Sequence, residues 1–182
     1  MAEEKREWKF FTIMEYEEEQ EYLREKHKEG WKFIKATGLG MYHFEKCEPE
    51  DVVYQLDYNQ EGREHMDEYV QMFCDCGWEY VRDFFGYSYF RKPAAEMDGE
   101  ESIFCDDESR LDMMRRIFKG RMVPILIIFI GVLIPALIRE FADGGTPDFG
   151  IIAIIVLALV IWTSIFVRYW VKYRQYKMRL GR

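Results

Sequence analysis

Histidine and cysteine are scarce in this 182-residue chain, with three and four respectively. His27, His43 and His65 show no paired spacing with Cys47, Cys74, Cys76 and Cys105. Two residues apart on a helix, Cys74 and Cys76 are turned by roughly 200° and point away from each other. No metal and no other cofactor is therefore expected, and thiols in a segment read as cytosolic should be reduced. The chain also lacks a P-loop, a dinucleotide fingerprint and a nucleophile elbow, since Ser88, Ser102, Ser109 and Ser164 sit in none. The acidic runs at 17–19 and 106–108 read as solvated faces rather than acid–base pairs. No catalytic residue is expected, and the chain reads as a non-enzyme.

Positive charge is short in one half. Residues 1–100 hold 13 Lys and Arg against 25 Asp and Glu, a net of −12, whereas residues 101–182 hold 12 against 8. An acidic head repels nucleic-acid phosphates and the anionic inner leaflet, so nucleic acid is not an expected partner and the head should stand off the bilayer. The amino terminus has no apolar signal region either.

Two stretches lack charge altogether. Residues 123–138 carry sixteen uncharged side chains and residues 149–167 nineteen. At 1.5 Å per residue these are roughly 24 and 28 Å of helix, enough to cross a bilayer once the flanks at 117–122 and 141–142 are added. The expected segments are a transmembrane helix over 122–142, a short extracytoplasmic loop at 143–148, and a second transmembrane helix over 149–167. Neither span has an ionisable group at mid-depth, which argues against an ion pathway within one chain. Arg110, Arg115, Arg116, Lys119 and Arg121 precede the first span, and a basic tail at 168–182 follows the second; the loop has Arg139 beside Glu140, Asp143 and Asp148. The positive-inside rule then places both termini in the cytoplasm of a multi-pass inner-membrane protein, with the lipid bilayer as its first partner. Gly131 and Pro135 suit helix contact in a homo-oligomer.

The first hundred residues contain twenty aromatic side chains. An internal repeat organises them. Tyr22-Leu23, Gly30-Trp31, Gly40 and Tyr42-x-Phe44-x-Lys46 recur as Tyr69-Val70, Gly77-Trp78, Gly86 and Ser88-x-Phe90-x-Lys92, at an offset of 47 that closes at 46. Each copy, about 8–46 and 52–92, reads strand, helix, strand, strand. Strands are expected at 8–14 and 52–58 from their aromatic and branched residues. In the second helix Met66, Tyr69, Val70 and Phe73 form one apolar stripe. The first helix, 17–28, has only Tyr22 and Leu23 among charged residues and should be the more exposed. Gly30 and Gly77 suit left-handed helix ends, with hairpin turns at 37–40 and 84–86.

The expected fold is thus an α+β cytoplasmic head over 1–93, joined to a carboxy-terminal two-helix transmembrane hairpin. Its simplest packing is one six-stranded antiparallel sheet with both helices on one face. On the open face, Trp31, Phe33, Tyr42, Trp78, Tyr80, Tyr87 and Tyr89 are the candidate ligand-binding residues, as walls of a groove between the halves; the alternative is that they fill a core or an oligomer contact. An acidic linker is expected at 94–109. Ser109 would cap a helix over 110–121 that either lies along the membrane interface or simply extends the first span.

The Gly30-Trp31 and Gly77-Trp78 pairs, Tyr42-x-Phe44, the opening Lys9-Phe10-Phe11 and the carboxy-terminal hairpin with its basic tail resemble a bacterial family known only as domain of unknown function 2812. That resemblance implies an inner-membrane protein encoded beside a PadR-type regulator, hence a PadR-type regulatory partner and a place in an envelope-stress or drug-response circuit. In element order the head is also similar to the paired modules of GyrI-like effector-binding domains, which hold aromatic or cationic drugs between their halves. Together these readings point to a membrane-anchored sensor or adaptor that binds an apolar or cationic aromatic ligand or a protein partner. The alternative is a structural subunit of an oligomeric envelope complex without a small-molecule ligand.

Overall fold

The computed structural model describes residues 3–58, 65–97, 99, 107–142 and 148–180. It separates into two compact units, 1–106 and 107–182.

The first unit runs β1 (Glu4–Trp8), α1 (Tyr16–Lys28), β2 (Trp31–Thr37), β3 (Met41–Lys46), β4 (Val52–Tyr58), α2 (Met66–Asp75), β5 (Glu79–Phe84) and β6 (Tyr87–Pro93). Strand, helix, strand, strand thus occurs twice. A single six-stranded sheet does not form. Hydrogen bonding instead makes two three-stranded antiparallel sheets, ordered β1-β3-β2 and β4-β6-β5. Each hairpin pulls its last strand between the other two, so each half completes its own ladder before any pairing with the other.

The first strand lies earlier than 8–14. Residues 4–8 have the weaker strand composition, but pairing Glu4 with Glu45 and Trp8 with Met41 selects them. The two hairpins turn where expected. Gly38 and Gly40 have positive φ in one, and in the other Phe85 (φ 48) and Gly86 (φ 82) make a two-residue turn with both φ positive. Gly30 and Gly77 end the helices at φ 84 and 83, a conformation that costs a glycine least.

The helices do not share one face. Helix α2 covers one side of the second sheet, where Tyr69, Phe73 and Tyr80 pack around buried Val53, Trp78 and Phe90. Helix α1 lies between the sheets. Its Tyr22 ring meets Tyr42 and Phe44 of the first sheet, while Tyr16 meets Tyr87 and His27 meets Tyr54 of the second. Consequently α1 is the more buried helix, reversing the expectation: Tyr16, Glu19, Leu23 and His27 are buried in it, and no residue of α2 is. The stripe has helical spacing of three, four and four, but two of its four members are polar, which hides it from a search for apolar periodicity. Strand β4, covered on both faces, is buried at six of its seven positions.

The second unit contains two helices long and apolar enough to cross a membrane, within 108–142 and 149–179. The first is built from α3 (Asp107–Ile117), α4 (Val123–Ile128) and α5 (Ile134–Ala142), separated by π-helical turns at Phe118–Met122 and Phe129–Leu133. Each π turn ends two residues ahead of a proline, Pro124 or Pro135. Proline cannot donate to the carbonyl four residues back and its ring crowds that carbonyl; the π turn widens the helix there, and Gly120 and Gly131 occupy the crowded positions. Helix α3 begins at Asp107, so Ser109 lies inside it and does not cap it. The second helix, α6 (Phe149–Leu180), is continuous. Thr163 and Ser164 donate to the carbonyls of Leu159 and Val160, satisfying their hydroxyls within the apolar run. Phe118 stacks on Tyr169 and Phe129 packs on Trp162, joining the two helices. Half of the expected linker, including Cys105, and the loop residues 143–147 lie outside the described residues.

Candidate functional site

Glu19 projects from α1 into the interior of the first unit and is 6 % exposed. Its Oε1 accepts two hydrogen bonds of 2.6 Å, from the hydroxyls of Tyr42 on β3 and Tyr89 on β6. One oxygen thus gathers donors from both sheets. Burial pushes the Glu19 carboxyl above its ordinary pKa, and the two tyrosine bonds pull the other way without cancelling it. Burial and the adjacent carboxylate push both hydroxyls far above the tyrosine range, so they remain donors.

The surroundings are aromatic. Phe33 packs on Tyr89 at 5.3 Å and on Tyr42 at 5.8 Å between ring centroids, and Tyr22 and Phe11 meet the edge of Tyr42. An ionic oxygen ringed by π-systems can accept from neutral hydroxyls or face an organic cation, to which both carboxylate and ring faces are attractive.

About two turns further along α1, Tyr54, His27 and Arg91 form a second polar group. The Tyr54 hydroxyl accepts from the Phe33 N–H at 3.4 Å and lies 2.8 Å from His27 Nδ1. Arg91 also bonds it. With its lone pairs so engaged, the hydroxyl directs its proton to Nδ1, which fixes His27 as a neutral acceptor. Burial, then the positive Arg91 and Lys32, lower the His27 pKa to about 4, with Glu79 opposing. Arg91 is itself held by both carboxylate oxygens of Glu79 and donates to the Phe33 carbonyl at 3.3 Å.

Of the seven ring residues expected to line a groove, Phe33, Tyr42 and Tyr89 meet at Glu19. Tyr87 lies beside them, donating to the Ile13 carbonyl at 2.6 Å with its ring against Tyr58. Trp31 is elsewhere, half-buried with the Lys46 ammonium 4.4 Å from its ring centre. Trp78 is 6 % exposed in the filled core under α2, and Tyr80 is at the edge of that core. Glu19 was hidden in the acidic run: Glu17 and Glu18 are exposed as expected of a solvated face, and Glu19 is not. Its spacing of three from Tyr16 and four from Leu23 was the available signal. Among the described residues no three His, Cys, Asp or Glu side chains gather as a metal site.

No curated protein and no solved structure matches the chain. Over residues 15–128, more than half its length, the sequence matches the family described as Protein of unknown function (DUF2812), and the chain belongs to that family.

Proposed function

We propose that this protein is a membrane-tethered sensor or adaptor whose duplicated head, in the cytoplasm, takes a cationic aromatic ligand at Glu19. The observation that carries the reading is the buried carboxylate that receives one hydroxyl from each sheet inside an aromatic shell. An organic cation would displace the tyrosine hydroxyls from Oε1 and stack among Phe33, Tyr22 and Tyr42, retaining the charge of Glu19 and changing how the two sheets meet across α1. That change is the signal passed to a protein partner, for which the family resemblance suggests a PadR-type regulator. The excess of Lys and Arg before the first apolar helix and after the second supports an inner-membrane hairpin with both termini inside.

The test is thermal unfolding of the full chain in nanodiscs against tetraphenylphosphonium, ethidium and their neutral analogues. Stabilisation by the cations that disappears in Glu19→Gln supports the reading. Equal shifts in wild type and Glu19→Gln, or no shift with any cation, defeat it. A second reading, a structural subunit of an oligomeric complex, is favoured by Gly131, where an added Cβ would meet nothing within 4 Å and the helix face is open to close contact. A stable oligomer with no response to any cation would support that alternative.

A further inference from the structure

Beyond the Glu19 site, the exposed apolar side chains of the first unit are unevenly placed. Among its described residues the large exposed ones are Trp8 (65 %), Phe10 (64 %), Leu39 (68 %), Phe85 (51 %) and Met72. All but Met72 lie at one end of the unit. The Lys9 N–H donates to the Gly40 carbonyl at 2.9 Å, which puts residues 8–10 beside the turn carrying Leu39. The Tyr87 hydroxyl donates to the Ile13 carbonyl, which brings the turn of Phe85 and Gly86 to the segment that follows Phe10. Both hairpin turns and the start of α1 therefore share this end with the four side chains. Single exposed apolar residues are ordinary; four converging from three loops form a patch of the kind that marks an interaction surface.

Phe85 sharpens the point. It occupies a turn position with φ 48, where asparagine or glycine is comfortable and a bulky residue is strained. Its ring packs on Phe84 and still remains 51 % exposed. Turn geometry does not account for a phenylalanine there, and half of its surface stays open.

The partner that fits is a lipid surface. Tryptophan, phenylalanine and leucine on loop tips are the residue types that enter the headgroup boundary, and the same chain carries two helices apolar enough to cross a bilayer, which keeps lipid at high effective concentration. We infer that this end of the head is a lipid-docking surface that inserts Trp8, Phe10, Leu39 and Phe85 into the interface of a zwitterionic bilayer. The charge around it sets the lipid preference. Lys9 is exposed with its ammonium beside the Phe11 and Tyr22 rings, but Glu17 and Glu18 are exposed on the first turn of α1 and outnumber it, and the first hundred residues carry a net charge of −12. Insertion is therefore driven by apolar burial against an electrostatic repulsion, and anionic lipid weakens it. The expectation from charge alone, that the head stands off the bilayer, then holds for anionic lipid and fails for neutral lipid.

The inference rests on the membrane-tethered reading, and the two fail differently. A chain that stays in solution without detergent defeats the tether itself. With the chain integrated, Leu39→Cys and Glu48→Cys are spin-labelled separately in full-length protein whose other cysteines are replaced, then reconstituted in phosphatidylcholine nanodiscs. Residue 48 is exposed in the connection after β3, at the opposite strand end from the Leu39 turn. The expected result is a label at 39 severalfold less accessible to an aqueous nickel chelate and more accessible to oxygen than the label at 48, with the difference reduced by phosphatidylglycerol. Equal accessibility at both positions overturns the proposal. So does a label at 39 shielded from both reagents in nanodiscs and detergent alike, which would mean contact with a second copy. A measurement that needs no cysteine replacement is quenching by brominated phosphatidylcholine: Trp8→Phe should lose part of the quenchable tryptophan emission, and unchanged quenching overturns the docking of that residue.

Discussion

Tyr42 and Tyr89, 47 positions apart and in different sheets, place their hydroxyls on the same oxygen of Glu19, each at 2.6 Å. No backbone ladder connects their two sheets. The shared acceptor therefore couples the halves at one atom, beside direct contacts between them such as Arg91 to the Phe33 carbonyl and Phe33 against Tyr89.

Removing either hydroxyl should be costly. Tyr42→Phe or Tyr89→Phe is expected to destabilise the full chain by about 1–3 kcal/mol, the range for depriving a buried charged acceptor of a donor. Their effects should not add, because the second loss leaves the carboxylate to take up a proton instead. Since burial raises the Glu19 pKa in the folded state, its contribution to stability is present at low pH and is lost as pH rises through the folded value. Glu19→Gln should accordingly flatten the stability profile between the acid range and neutrality, as read by denaturant unfolding in detergent at several pH values.

His27 acts with the opposite slope. With its folded pKa lowered to about 4 from an ordinary 6.5, the unfolded chain binds the proton first as pH falls. Stability should drop from about pH 6.5 downward and level off near pH 4, by at most about 3 kcal/mol. His27→Gln should remove most of that dependence. His43, lowered by burial and then by Lys35 and Arg6, contributes with the same sign, so His43→Gln is the necessary comparison.

Arg24 and Asp51 make a two-point pair, Nε to Oδ1 at 2.6 Å and Nη2 to Oδ2 at 2.9 Å, tying α1 to the residue before β4. The Arg24 guanidinium holds the Asp51 carboxyl below its ordinary value, so this stability is present above about pH 4 and is lost as pH falls further. Asp51 is partly exposed and the pair is screened; Arg24→Lys should cost no more than about 1 kcal/mol, less at high salt, because lysine cannot reproduce the fork. Thermal unfolding at low and high ionic strength reads the difference.

The 85–86 turn offers paired substitutions of opposite sign. Gly86→Ala would set a Cβ 2.8 Å from the Tyr58 ring at a φ of +82, and a loss of about 1–3 kcal/mol is expected. Phe85→Asn should gain up to about 1 kcal/mol in detergent by relieving a left-handed aromatic residue. Melting temperatures of the two variants, measured in the same detergent, check both signs.

Several elements were legible because their causes are local. Strand β4 at 52–58, the hairpin turns, the positive-φ glycines at 30 and 77 and the apolar stretches all follow from residue type and short spacing. The position of β1 was not legible, because its cause is the pairing of residues 4–8 with β3 across the whole first half. The aromatic segment after Trp8, which looked like the strand, supplies Phe10 to the surface and Phe11 to the ring cluster around Tyr42.

By itself, then, the sequence determined which segments become strands and helices in most of the head, where they turn, and which two runs are apolar enough for lipid, since each depends on side chains within a few residues of one another. Only the tertiary structure decided that the halves keep separate sheets, that α1 is enclosed between them, and that Glu19 differs from its neighbours Glu17 and Glu18. The reason is that burial of a polar side chain depends on partners supplied from afar: without Tyr42 and Tyr89 to offer their hydroxyls, a glutamate in an acidic run belongs in water.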